Sequence, residues 1–272
     1  MRNSKTNELV LTGLFTAIII IMAFTPLGYI PLVVINATII HIPVILGSLF
    51  CGPKKGAFLG FVFGFTSCLK ATIVGGTLSS FVFSPVLAAS MVGTSGIFKS
   101  LFIAFVPRIL VGVIPYFVYI GIKKVFASEK KNLWGTVLNV LMSVFLAFGV
   151  YAFLGKMSES LSQAAALGIG IAVGAVVFIV VEAVFIRKST QVIPFVYAGV
   201  AGAMTNTLLV MGSIFVLYKD AYADAIGVAG NAVLGVITGV ISFNGVIEAI
   251  VAAIIVYLVG LVLNTIKPIA AK

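Results

Sequence analysis

The sequence predicts an all-α integral membrane protein, a helical bundle of eight spans with both termini cytoplasmic. Three observations lead there. First, the 272 residues are 61% hydrophobic and 9% charged, with a mean hydropathy of +1.27, whereas soluble domains are about 45–50% apolar and about 25% charged. So few polar side chains cannot cover a water-facing surface, and the surrounding solvent is mostly lipid. Second, the apolar residues fall into runs of near-spanning length. Third, the net charge of +10 comes from scattered basic pairs at the ends of those runs. That is the pattern of cytoplasmic loops, not the dense basic tract that would hold nucleic acid.

A spanning helix needs about 20 apolar residues, within a range of about 17–25. The first run covers residues 9–24 and stops at Pro26 and Gly28. Arg2 and Lys5 precede it and no small-residue cleavage site follows, so it is a membrane helix and not a cleaved signal. An uncharged linker, 28–38, leads to a second run at 39–50, closed by the basic turn Gly52-Pro53-Lys54-Lys55-Gly56. The third run is 57–69. Both are short, so they tilt or lean on neighbours. Residues 70–97 mix Gly75, Gly76, Thr77, Ser79, Ser80, Ser84, Pro85 and Ser90 with Phe81, Val82 and Phe83. This is read as a long extracellular loop with partial helix, of the kind that caps or gates a site. A fourth helix at 98–122 carries Pro107 and Arg108. Runs at 133–154, 164–186, 192–217 and 244–263 complete the set, and the Gly-rich stretch 225–242 reads as a re-entrant or interfacial helix.

Alternating eight spans from a cytoplasmic N-terminus puts Arg2, Lys5, Lys54, Lys55, Lys123, Lys124, Lys130, Lys131, Arg187, Lys188, Lys267 and Lys272 inside. Only Lys70, Lys99, Lys156 and Lys219 fall outside. This twelve-to-four bias follows the positive-inside rule, and merging or splitting one span would scramble it.

Several chemistries are excluded. A single histidine, His41, cannot build a histidine metal cluster. Cys51 and Cys68 lie far apart in apolar stretches and read as reduced core residues. No phosphate-binding Gly-x-x-x-x-Gly-Lys-Ser/Thr loop occurs, since Gly96-Ile97-Phe98-Lys99-Ser100 has the wrong spacing. ATP hydrolysis is therefore not expected of this chain. Gly168, Gly170 and Gly174 lie in an apolar helix with no preceding strand and signal close helix packing, not a dinucleotide site.

The polar residues that lipid tolerates poorly carry the functional reading. A charge at mid-bilayer costs about 2.5–3.5 kcal/mol on insertion scales. Arg108 lies about 14 Å from the start of its run at about 1.5 Å per residue. It either pairs with Glu248 or bonds carbonyls freed by Pro107, or it holds an anionic substrate. Asn244 and Glu248 are four apart on one helix face. Asn206, with Thr205 and Thr207, is interhelical glue or part of the same cavity. Asn36, Thr38 and His41 cluster at one helix mouth. Glu182 snorkels or pairs with Arg187 and Lys188. Gly13 and Ala17 form a small-x-x-x-small step for internal packing or for docking another membrane subunit.

Five segments, in order, resemble one known family. They are Ile35-Asn36-Ala37-Thr38-Ile39-Ile40-His41-Ile42-Pro43 running on into Cys51-Gly52-Pro53-Lys54-Lys55-Gly56, then Pro107-Arg108-Ile109-Leu110-Val111-Gly112, Ala201-Gly202-Ala203-Met204-Thr205-Asn206-Thr207 and Phe243-Asn244-Gly245-Val246-Ile247-Glu248. Over 8–124 and 192–264 the chain resembles the substrate-binding S component of energy-coupling-factor (ECF) vitamin transporters, and within that family the pantothenate-type members. The likeness implies a bundle of six core helices, so residues 125–191 are an inserted extra pair between core regions 1–124 and 192–272. That pair packs on the lipid side or obstructs docking.

The resemblance further implies capture of a small water-soluble vitamin in an outward-facing pocket. The S component then topples against a shared transmembrane subunit driven by two ATPase subunits, in the plasma membrane of a bacterium, with no cofactor of its own. Carried onto this sequence, Arg108 meets the vitamin carboxylate. Asn36, His41, Asn206, Asn244 and Glu248 hydrogen-bond its hydroxyl and amide groups, Phe81 and Ser84 lie in the gating loop, and Gly13 and Ala17 dock the shared subunit. The competing reading is an ion-coupled secondary transporter of a small organic anion with Glu248 relaying protons, although no internal repeat is visible. A membrane enzyme would need a nucleophile–base constellation, for which one histidine and two buried acids are thin material.

Overall fold

The computed structural model of the chain describes residues 2–31, 36–75, 77–157, 161–188, 193–266 and 269. Eleven helices and one short ribbon make up the described part. Helix α1 (Arg2–Phe24) ends in a 3-10 turn over Pro26–Gly28. Strands β1 (Tyr29–Pro31) and β2 (Asn36–Thr38) then pair antiparallel, Tyr29 opposite Thr38. Helices α2 (His41–Cys51) and α3 (Pro53–Ile73) meet at Gly52, whose φ of +89° suits glycine, and Pro53 opens α3 where no N–H is needed.

The 98–122 run is two helices, α5 (Thr94–Val111) and α6 (Ile114–Phe126), broken at Gly112 and restarted with Pro115 in the first turn. The expected loop at 70–97 is mostly helical. α3 continues to Ile73, a 3-10 turn covers Ser80–Val82, and α4 (Pro85–Val92) precedes α5. The Ser84 hydroxyl caps α4, accepting from the Leu87 N–H at 3.3 Å, and shares a 2.8 Å bond with Thr72. Helices α7 (Lys131–Met157) and α8 (Gln163–Lys188) form an antiparallel hairpin and α9 (Ile193–Ile226) follows, with non-helical backbone at Tyr218. The last run is longer than 244–263. α10 (Val233–Val240), a π turn over Ile241–Gly245 and α11 (Val246–Ile266) form one continuous apolar segment.

Among the described residues, seven helical segments are long and apolar enough to cross a membrane. The eighth expected span, α2, has eleven residues, about 16 Å against a hydrocarbon core of about 30 Å. It is short because it never faces lipid. Every side chain from His41 to Phe50 is buried, as befits a helix apolar all round. Ile19, Ile45, Leu49, Leu59, Phe195 and Ala252 pack in the core cluster around it. Two contacts fix its direction. Lys55, after the α2–α3 turn, pairs with Glu8 near the start of α1, and Lys70, late in α3, donates to the Ala23 carbonyl at the end of α1. α1 and α3 therefore run parallel, and α2 brings the chain back between them.

Close helix approach is set by glycine. In α3, Gly56, Gly60 and Gly64 recur every four residues. A Cβ on them would overlap the backbone carbonyls of Gly112, Arg108 and Ala104, also four apart on α5. In the hairpin, Cβ atoms on Gly170 and Gly174 would press on α7 at Ala147, the packing expected there, while Gly168 faces open space. Both cysteines are free and only half-buried, so they border the core instead of filling it. Glu182 takes a partner the sequence did not suggest. Its carboxylate accepts from the Thr136 hydroxyl at 2.7 Å and from the Asn139 side-chain amide, and Tyr197 of α9 donates to the Asn139 oxygen at 2.9 Å. This network ties the α7–α8 hairpin to the bundle. The side chains of Arg187 and Lys188, its expected partners, lie outside the described residues.

Candidate functional site

Glu248 is the centre of a buried polar group. It sits on α11 one turn past the π turn, 4% exposed. Its Oε1 accepts from the Thr38 backbone N–H and its Oε2 from the Thr207 hydroxyl, both at 2.8 Å. One carboxylate thus joins the ribbon, α9 and α11. Thr205 bonds the Ala201 carbonyl of its own helix, as expected for a membrane threonine, but Thr207 does not.

His41 opens α2 next to Thr38 and is fully buried. Among the described residues neither ring nitrogen has a well-formed hydrogen bond, although the Thr38 backbone lies within reach of the ring. The side-chain oxygens of Asn206 and Asn244, 7% and 9% exposed, are likewise without partners. Buried polar atoms are nearly always bonded, and leaving one unbonded costs about 1–3 kcal/mol. A histidine and two amides in that condition, on α2, α9 and the π turn before α11, are what a polar ligand or ordered water would satisfy. Asn244 lies within the π turn, whose wide geometry recurs at functional positions.

Arg108 lies on α5, about 21 Å from the helix start at Thr94 by the same rise per residue, deeper than the 98–122 run implied. It is 6% exposed. Its Nη1 donates to the Ile103 carbonyl at 2.6 Å. Ile103 is four residues before Pro107, whose ring nitrogen cannot make that helix bond, so the arginine bonds the carbonyl that proline frees. The guanidinium lies over Phe83 at 4.7 Å and Phe63 at 5.5 Å. The glycine ladder against α3 holds the backbone at Arg108 itself.

The other expected residues fall outside this group. Phe81 is buried against Tyr218, rings edge to face at 5.3 Å, and Tyr218 donates to the Gly96 carbonyl at 2.7 Å. With Val82, Ala88, Ile103 and Ile214 they form a second apolar cluster around α4 and the C-terminal part of α9. Ser84 caps α4. Asn36 is on β2, and its side chain lies outside the described residues. Gly13 and Ala17 sit on the exposed side of α1, and a Cβ on Gly13 would meet nothing within 4 Å. Sequence reasoning missed Phe63, Phe83 and the Gly56–Gly60–Gly64 ladder. The four-residue glycine period was a readable signal for the ladder, and nothing local marked the two rings.

The architecture is that of a polytopic membrane protein with buried polar side chains inside the bundle. Residues 7–187 match the family described as ECF transporter, substrate-specific component, and the chain belongs to that family. Among similar proteins is the pantothenic acid transporter PanT of Lactococcus lactis subsp. cremoris, 42% identical over 161 residues that cover 55% of this chain and 78% of that protein. The pantothenate transporter PanT of Leuconostoc mesenteroides subsp. mesenteroides is 27% identical over 277 residues, covering 100% of this chain and 98% of its own. That alignment runs the whole length of this chain, the α7–α8 hairpin included.

Proposed function

We propose that this chain captures pantothenate for an ECF-type importer, delivering it to a separate shared transmembrane subunit with two ATPase subunits. The observation that carries the reading is the pairing of one buried cation, Arg108, with a group of acceptors and amides around Glu248 in a member of this family. Pantothenate has one carboxylate, two hydroxyls and one amide. A cation for the carboxylate and neutral or acidic groups for the hydroxyls and amide match that inventory. Glu248, its oxygens oriented by Thr38 and Thr207, accepts a vitamin hydroxyl. His41, Asn206 and Asn244 bond the remaining polar atoms, Asn36 closes over from the ribbon, and Phe81 and Ser84 steady the outer cap.

The topology we propose has eight crossings with both termini cytoplasmic, α2 being the short one. The Lys55–Glu8 pair, which brings the α2–α3 turn to the end where α1 starts, and the distribution of lysines support it. Residues 125–191 are an addition to core parts 1–124 and 192–272, and the exposed Gly13/Ala17 side of α1 docks the shared subunit. Equilibrium binding to purified protein, with pantothenate, riboflavin, folate, thiamine and biotin side by side, tests the reading. One-to-one binding of pantothenate alone is expected, and selective binding of another vitamin would replace it.

A further inference from the structure

An apolar cavity of about 500 Å³ lies between the α7–α8 hairpin and helices α9 and α11, away from the polar group around Glu248. Met142, Leu146, Val200 and Ile250 form its floor. Val180 and Leu258 stand on its rim, about half exposed, on two membrane-spanning segments. It therefore opens sideways into the bilayer. A helix about 10–12 Å across is too wide to enter this volume, whereas a single hydrocarbon chain fits.

One end of the cavity is marked by charge. Ile193, which lines it, packs on Phe126 at the end of α6. The last turn of α6 carries Lys123 and Lys124, Lys130 follows and Lys131 opens α7, with Glu129 the one acid among them. An apolar slot beside a basic edge is complementary to a lipid with an anionic headgroup.

We propose that this cavity holds one acyl chain of an anionic phospholipid, its headgroup resting on the lysines between α6 and α7. Lipid bound there fills the gap between the hairpin and α11. The test is native mass spectrometry of the full chain, purified in detergent and titrated with dioleoylphosphatidylglycerol or dioleoylphosphatidylcholine. Wild type is expected to retain one phosphatidylglycerol, at least fivefold in preference to phosphatidylcholine. Val180→Trp from the rim and Val177→Phe from the wall each reduce retention at least fivefold with unchanged circular dichroism. The Lys123→Gln/Lys124→Gln pair abolishes the preference between headgroups. Equal retention by wild type and both filled variants, equal affinity of wild type for the two lipids, or no retained lipid at all would each overturn the proposal.

Discussion

Replacing Arg108 with alanine separates a ligand contact from a structural one. In the fold, the side chain donates to the Ile103 carbonyl that Pro107 leaves without its helix bond. Its removal leaves a buried acceptor unbonded and costs about 1–3 kcal/mol of stability. If the guanidinium also meets the vitamin carboxylate, the loss in binding is larger. Truncating one partner of a buried, hydrogen-bonded charge pair costs about 2–5 kcal/mol, or about 30- to 5,000-fold in Kd. The low exposure of the group, 6%, keeps water from replacing it. The assay is titration calorimetry with pantothenate and with its alcohol analogue, in which the carboxylate is a neutral hydroxymethyl group. Arg108→Ala is expected to weaken pantothenate binding at least about thirtyfold while changing binding of the alcohol far less. An equal fall for both ligands would show that the arginine only builds the helix. Unchanged affinity for pantothenate would remove Arg108 from the site.

Thr207→Val removes one of the two donors to Glu248. It is expected to destabilise the protein by about 1–3 kcal/mol, seen as a lower thermal midpoint, and to weaken pantothenate binding; an unchanged midpoint and affinity would dissociate the threonine from the site. Gly60→Leu puts a side chain into the Arg108 backbone and is expected to abolish accumulation of folded protein, while Gly212→Ala, facing open space, leaves expression and melting unchanged. Gly13→Leu on the exposed side of α1 is expected to leave vitamin binding intact but to lower uptake in cells containing the shared module. Normal uptake by that variant would place docking on another face.

Much of this architecture was legible because lipid leaves little choice: long apolar runs become helices, and basic pairs mark their ends. The residues that became the polar group, His41, Arg108, Asn206, Asn244 and Glu248, stood out for the same reason, as polar side chains in a solvent that penalises them. What the runs could not convey was register and continuity. The stretch 225–242 looked separate from 244–263 because glycines interrupt it, yet the two join through a π turn. Glu182 was expected to reach cations nearby in sequence, but its partners lie across the hairpin, and contacts between distant segments leave no local trace. The 70–97 stretch reads as a gating loop because long apolar loops between membrane helices often cap a site; that the Ser84 hydroxyl caps a helix and the Phe81 ring packs on Tyr218 was not legible in it.

The π turn at Ile241–Gly245 bears on how such a protein can diverge. A substitution near Glu248 alters one contact at a time. A π turn holds one residue more than an α-helical turn, so deleting one residue lets it close as an ordinary α-helix while α10 and α11 keep their relative orientation. Glu248 would still face Thr38 and Thr207, whereas the residues of the turn itself, Asn244 among them, would change direction. A deletion there thus re-aims the groups around the carboxylate without moving the carboxylate, and a sequence comparison that treats gaps at this place as noise would overlook it.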